Sequence, residues 1–265
     1  MRSTNKYFST VRVFTRHPTH RILKRAIKTN GKKVVLRLGS STTGRTPADI
    51  EINTVAAVNN CSNKVLMKEL FADAGVCSPE YYTYKDKDNV LFNNKVISIE
   101  ELPYPILSKK TFRSRGTGMS KIGSIAEMRT FLRKTTYNTN NPFYFERFYN
   151  YTREYRIHTS SIEANSYFYS CRKMLKTDAT KRWYRNNSNS LWYLEENNAF
   201  NKPVTWDAII TDCYKALTAL KLDLCAFDVK VNKEGSWVIL EGNSAPAFGT
   251  ITAEKYLKQI KKFIT

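Results

Sequence analysis

Apolar and polar positions alternate over Thr10–Phe14, the period of a β-strand, and Lys33-Val-Val-Leu-Arg-Leu38 reads as a second strand. Between them, Pro18 to Thr29 reads as a helix, with Pro at its start and Gly31 just past its end. Strand, helix and strand in so few residues predict a small parallel α/β unit. Residues 39–47, Gly-Ser-Ser-Thr-Thr-Gly-Arg-Thr-Pro, have the composition of a loop. Beyond Ser62, the expected N-cap, Val65, Leu66, Leu70, Phe71 and Ala74 keep helical spacing as far as Gly75. Short strands follow over 79–107, then a basic, glycine-bearing loop over 110–123 and a helix over Ile125–Lys134. Strand patterns dominate from Phe143 to Met174, and 176–202 is polar and irregular. A helix at about Trp206–Leu220, a hairpin at 224–243 and a helix at about 252–263 complete the chain, without internal repeats. The pattern predicts a mixed α/β and α+β fold: a short N-terminal α/β unit at 1–58 and a larger body at 59–265.

Composition narrows the class. With 42% hydrophobic and 25% charged residues the chain is globular rather than disordered. No apolar run approaches the ~18 residues of a membrane helix, and the polar start lacks a secretory h-region, so a soluble protein is expected. Five cysteines without a C-x-x-C pair read as reduced thiols of a cytoplasmic protein, not as a disulfide frame or zinc site. Charge changes the picture most. Forty-three Lys and Arg against 23 Asp and Glu give +20, and residues 1–60 hold 12 basic but only 2 acidic residues. Arg21, Lys24, Arg25 and Lys28 would form one basic stripe on the first helix. Such a field attracts polyanions, whether nucleic acid, a phosphate-rich metabolite or an acidic peptide; a basic surface kept for solubility is the other reading.

The most informative segment is Leu224–Asn243. Two alternating runs flank Lys233-Glu234-Gly235-Ser236, a connection suited to a hairpin. A turn centred there pairs Phe227, Val229 and Val231 with Gly242, Leu240 and Val238 on an apolar face. The other face sets Ala226, Asp228 and Lys230 against Asn243, Glu241 and Ile239. Asp228 then lies opposite Glu241, with Cβ atoms roughly 5 Å apart. Facing carboxylates repel unless a cation or a shared proton intervenes. Oxygen donors from Asp, Glu and Asn suit Mg²⁺; alternatively Lys230 neutralises a solvent-facing acidic pair.

Asp228 and its apolar strand, followed by Leu240-Glu-Gly-Asn-Ser-Ala-Pro246, resemble the metal-binding end of the ATP-grasp superfamily, an Asp and then a hydrophobic strand ending in Glu-x-Asn-x-x-Pro. The resemblance implies that Asp228 and Glu241 are shared by two Mg²⁺ ions and that Asn243 completes the second. Upstream, Asn63-Lys64, the segment Leu70–Val76 and Pro79 are similar to the family's Asp-Lys, helix and Ala-Gly segment, with Asn where Asp is frequent; this implies Lys64 on a nucleotide phosphate. Tyr104–Lys109 is similar to the strand whose last lysine bridges adenine and the α-phosphate, which implies Lys109 rather than Lys110. The loop Arg113–Met119 resembles the phosphate-covering lid, implying nucleotide contacts from Ser114, Arg115, Gly116, Thr117 and Gly118 within a lid subdomain at about 78–142. Phe143–Phe148 and Thr152–His158 resemble the adenine hinge and the ribose-binding strand. They imply Glu146, Arg147 and Phe148 around adenine, Glu154 accepting from the ribose, and Arg156 on the same strand face, where it could instead pair with Glu154. An Arg after the next strand would hold the transferred phosphate; Arg172 is preferred, with Lys173 on the opposite strand face as its rival.

The resemblance spans about residues 50–250 and implies an ATP-dependent carboxylate–amine (or carboxylate–thiol) ligase using ATP and Mg²⁺, with Lys109 and Arg172 as catalytic cations. A substrate carboxylate would attack the γ-phosphate and an amine would displace phosphate from the acyl phosphate. Two other readings stand beside it: a kinase of a polyanionic small molecule on the same fold, and a basic nucleic-acid-binding protein with a relic nucleotide site. Asp228→Asn and Glu241→Gln are expected to abolish turnover and leave the fold intact.

Overall fold

The computed structural model describes residues 11–15, 18–27, 29, 31–43, 47–112, 117–180, 182–186 and 188–265. Three sheets and six α-helices make up the described chain. At the front, β1 (Val11–Thr15), α1 (Arg21–Ala26), β2 (Val34–Leu38) and β3 (Ile50–Ile52) form a three-stranded parallel sheet in the order β1-β2-β3. The expected helix over 18–29 is shorter: a 3₁₀ turn at Pro18–His20 leads into α1, and the chain leaves helical geometry at Ile27 (φ −81°, ψ 120°). Ile27 is thereby placed in the core beside Leu23. α1 ends at Ala26 and so carries Arg21, Lys24 and Arg25 of the expected basic stripe; Lys28 lies outside the described residues.

Next come α2 (Val55–Ser62) and α3 (Lys64–Asp73). The first has no counterpart in the apolar pattern, and Thr54 caps it by accepting from the Ala57 N–H. Asn63, not Ser62, caps α3, its Oδ1 accepting from Val65 and Leu66 N–H at 3.2 Å each. β4 (Tyr81–Tyr84), β5 (Asn89–Phe92), β6 (Lys95–Ser98), β7 (Ile106–Lys110), β8 (Ser120–Ile122), α4 (Ile125–Lys134) and β9 (Phe143–Arg147) build a six-stranded antiparallel sheet, ordered β6-β5-β4-β9-β7-β8, with α4 on its apolar side. This unit takes in β9 and so runs past residue 142.

β10 (Arg153–Ser160), β11 (Tyr169–Leu175), β12 (Ser190–Leu194), α5 (Trp206–Leu220), β13 (Leu224–Val231) and β14 (Trp237–Asn243) form a five-stranded antiparallel sheet, ordered β12-β11-β10-β13-β14. Side chains alternate across it with period two. Tyr155, Ile157, Phe227, Val229 and Ile239 pack beneath α2, α3 and α5, while Glu154, Arg156, Lys173 and Asp228 point the other way. Finally α6 (Thr250–Ile264) returns to the front sheet, where Tyr256, Ile260 and Ile264 share a core with Leu23, Leu36 and Ile52. The N-terminal unit is therefore closed by residues 250–264 and not by 1–58 alone.

A buried asparagine locks this unit to the five-stranded sheet. Asn53, in the left-handed region at φ 60°, donates from Nδ2 to Arg37 O (3.1 Å) and Leu224 O (3.0 Å), and its Oδ1 accepts from the N–H groups of Asp223 (2.8 Å) and Leu224 (3.0 Å). Every polar atom of the side chain is satisfied, as burial demands.

Candidate functional site

A cavity of about 510 Å³ opens between the polar face of the five-stranded sheet and β7–β9 of the six-stranded one. Its floor is the β13–β14 hairpin. Asp228 stands opposite Glu241 and Ala226 opposite Asn243, as the alternation predicts. Beyond Asp228 the register shifts by one, so that Val229 and Val231 face Ile239 and Trp237 in place of Leu240 and Val238. Leu240 is the extra residue of a β-bulge, which breaks the alternation and turns Leu240 and Glu241 together toward the cavity. Ile239, expected beside the acidic pair, is fully buried under the helices instead.

The bulge also frees the Leu240 carbonyl, and Lys68 of α3 donates to it at 2.8 Å. Lys68 has no exposed surface; its ammonium lies 3.3 Å from Glu146 Oε2, and Lys109 donates to Oε1 of the same carboxylate at 2.6 Å. Burial pushes Lys68 down to about 8, partly offset by Glu146. Burial alone would raise the Glu146 carboxyl, yet Lys109 and Lys68 outweigh it and hold the group below its ordinary range.

Asp228 and Glu241 are likewise ionised. Burial opposes this at Asp228, but Arg156, donating at 2.8 and 2.9 Å, and Lys173, 2.8 Å away, keep the carboxyl well below the usual carboxylate range. At Glu241 burial is outweighed by an ion pair with Lys64. Lys173 also donates to Glu154 at 2.9 Å, and Arg185 lies 3.7 Å from the other Glu154 oxygen. Trp192 of β12 backs this cluster, with Arg156 and Lys173 centred 4.9 and 5.2 Å from its ring.

The structure thus brings Lys64, Lys109, Thr117, Glu146, Arg147, Phe148, Glu154, Arg156, Asp228, Glu241 and Asn243 to one cavity. Gly118 adjoins it at φ 73°, whereas Ser114, Arg115 and Gly116 lie outside the described residues. Several expectations change. Arg172 is not in the cavity: its strand face is that of Tyr155, and Nη1 donates at 2.7 Å to the carbonyl of Ala199, in a 3₁₀ turn at Asn198–Phe200. Lys173, one residue on and facing the opposite way, lines the cavity instead. Arg156 pairs with Asp228, not with Glu154. Lys230 neutralises neither acid; its ammonium reaches across to Tyr149 O at 3.4 Å and over the Phe148 ring at 5.3 Å. The N–H groups of Arg147 and Phe148 are already used by Glu80 O (2.9 Å) and Pro105 O (3.2 Å), so these two are not free to read a nucleobase. Both Glu154 oxygens face cations, which limits its reach toward a ribose. His158 is buried and paired with the Tyr256 hydroxyl at 3.0 Å, away from the cavity.

Lys68 is missing from the sequence reading. Its signal is the spacing from Lys64, four residues along one helix, which sets both ammonium groups on the same side. Arg185 and the aromatic pair Trp183–Tyr184 also reach the cavity, from the irregular stretch 176–202.

The acid pair can accommodate a hard cation. Asp228 and Glu241 are ionised oxygen donors on facing strands, and the adjacent Asn243 carries a buried Nδ2 without a hydrogen-bond partner, so its amide is free to turn its oxygen toward an ion. That donor set fits Mg²⁺, although a cation there must share Asp228 with Arg156 and Lys173 or displace one of them. Among the described residues no group of three His, Cys, Asp or Glu offers a rival metal site. Nor is any described helix long and apolar enough to cross a membrane.

By sequence, no protein-family model and no curated protein matches the chain. Solved structures do. D-alanyl-alanine synthetase A of Vibrio cholerae superposes over 87% of this chain and 75% of its own, with TM-score 0.62 and 14% identity. The ATP-grasp ligase PsnB, complexed with a minimal precursor, covers 81% of this chain and 65% of its own at TM-score 0.52 and 12% identity. The fold is that of ATP-grasp. An L-amino acid ligase from Bacillus licheniformis matches 75% of this chain at TM-score 0.52 and 16% identity, and this chain spans 44% of that protein.

Proposed function

We propose that this chain is an ATP-dependent ligase that joins a carboxylate to an amine through an acyl phosphate. The observation that carries the reading is the ionised Asp228–Glu241 pair, with Asn243 beside it, at the floor of a cation-lined cleft between the two ATP-grasp sheets. Eight cavity-lining cations (Lys64, Lys109, Lys110, Arg147, Arg156, Lys173, Arg185, Lys230) face four carboxylates (Glu146, Glu154, Asp228, Glu241), an excess suited to a polyphosphate and an anionic substrate.

In this reading the triphosphate lies along the cavity, with Lys109 and Lys64 on its oxygens and Leu107 and Leu240 against the base. Asp228, Glu241 and Asn243 would hold Mg²⁺, which when bound neutralises phosphate charge. Lys173 and Arg156, fixed by Glu154, Asp228 and Trp192, are set to receive the charge that spreads onto the transferred phosphoryl group as a carboxylate attacks it. The chain supplies positioning and charge, with no covalent nucleophile.

The deciding experiment uses candidate acids labelled with ¹⁸O in the carboxylate, supplied with ATP, Mg²⁺ and amines. Label appearing in released phosphate supports the ligase. ATP consumption with a stable phosphorylated product and no free phosphate replaces it with a kinase on the same fold. Absence of nucleotide binding removes both.

A further inference from the structure

Among the cavity-lining cations of the described residues, Lys230 combines deep burial with the lack of an ion-pair partner. Lys64 has Glu241, Lys109 has Glu146, Arg156 has Asp228, and Lys173 has Asp228 and Glu154. Lys230 is only 6% exposed and has no carboxylate within 4.0 Å. An ammonium removed from water without an anion is costly. The carboxylates nearest it on the same sheet face, Asp228 and the directly opposite Glu154, are already engaged by Arg156, Lys173 and Arg185.

Its position is fixed from two sides. The side chain leaves β13, crosses the cleft and ends at the segment after β9, donating to Tyr149 O at 3.4 Å and lying 5.3 Å from the centre of the Phe148 ring. Lys121 of β8 occupies the same ring at 4.2 Å, so the aromatic face is shared by two cations. A carbonyl and a shared ring are weak compensation for a buried charge. They do hold the ammonium in place, facing the cavity.

Register says where along the cleft that side chain sets out, and its contact with Tyr149 O says where it ends. Asp228 and Glu241 mark the end where metal and reacting phosphates belong, and Phe148–Tyr149 mark the end where the base belongs. Lys230 stands two residues, about 6.6 Å, from Asp228 toward the base end. We infer that Lys230 holds the phosphate nearest the ribose, and that this phosphate is the anion its buried site lacks. The inference rests on the ATP-binding reading above. It assigns to β13 a phosphate ligand additional to Lys64 and Lys109, and makes the site select nucleotides over nucleosides.

The test is Lys230→Met, which keeps length and removes charge, with Lys230→Arg as the charge-retaining control. Affinities for ATP, ADP, AMP and adenosine are measured with Mg²⁺ by competition against a fluorescent ATP analogue. Lys230→Met should lose about tenfold or more for ATP, ADP and AMP, change adenosine less than twofold, and unfold at a temperature equal to or above that of the parent without nucleotide. Lys230→Arg should recover at least part of the loss. AMP binding unchanged in Lys230→Met overturns the inference, as does an equal loss for adenosine, or a lowered unfolding temperature with no selective loss. A parent protein that binds none of the four removes the nucleotide reading itself, a result distinct from binding that ignores Lys230.

Discussion

Arg156 grips Asp228 through two parallel hydrogen bonds, Nε to Oδ1 at 2.8 Å and Nη2 to Oδ2 at 2.9 Å, across directly paired positions of β10 and β13. Facing positions on adjacent strands let the guanidinium engage the carboxylate through two bonds at once, the bidentate form in which such pairs are strongest. Asp228 therefore serves two ends. It is a candidate metal ligand, and it is also the counter-charge for two buried cations, Arg156 and Lys173.

Asp228→Asn should consequently destabilise the protein as well as stop turnover, contrary to the expectation that the fold stays intact. Removing one partner of a buried ion pair costs about 3 kcal/mol or more. Glu241→Gln, which leaves only the partly accessible Lys64 without its acid, should cost less while also abolishing activity. Urea unfolding beside a Mg²⁺-dependent ATPase assay checks both, and equal stabilities would refute the distinction.

Lys173→Met should cut turnover by about a hundredfold or more, given the usual worth of a charge-stabilising group. Arg172→Ala should leave turnover within about threefold and act on stability, through its lost bond to Ala199 O. Steady-state kinetics on the two variants reads the difference, and the reverse order would put the strand in the wrong register.

Replacing Lys109 by Ala should weaken ATP binding by about tenfold or more, a charge-assisted contact being worth about 1.5–3 kcal/mol. Lys110→Ala should change it far less, because Lys110 sits 5.3 Å over the Phe143 ring and no carboxylate orients it. Isothermal titration of both variants decides.

ATP affinity should fall as pH rises through about 8, where Lys68 loses its proton. The sign for stability is opposite: a lysine whose folded value lies below 10.5 favours the fold most above pH 10.5, and that contribution disappears as pH falls through about 8. Loss of one cation behind Glu146 should weaken binding about threefold between pH 7 and 9. Lys68→Met should flatten that slope. A parent protein with no slope would exclude Lys68 as its source.

The sequence makes the hairpin and the Asp228–Glu241 apposition legible, because alternation and turn residues declare themselves in a single strand pair. The bulge at Leu240 is invisible, since one extra apolar residue in an apolar strand changes no pattern. Lys68 is hidden for the same reason: its partner is a carbonyl that only the bulge releases. Between Arg172 and Lys173 the choice depends on which face of β11 meets the helices, and that follows from pairing with Tyr155 on β10, not from local composition. α2 is missed because a short run with two asparagines has little apolar periodicity, and its register is set by Thr54 and by packing on the sheet. The family pattern supplies an order of motifs, not a count of ion pairs, so it leaves open what each buried cation answers to.

The return of α6 to the front sheet sets the timing of folding during synthesis. The apolar side made by Leu23, Leu36 and Ile52 emerges from the ribosome early, and its cover, Tyr256, Ile260 and Ile264, about two hundred residues later. At ~5–20 residues per second, that interval leaves a greasy parallel edge exposed for roughly ten seconds or more. Residues 1–60 carry 12 basic and only 2 acidic residues, and like charge of that kind opposes contact between copies whose apolar face is still uncovered.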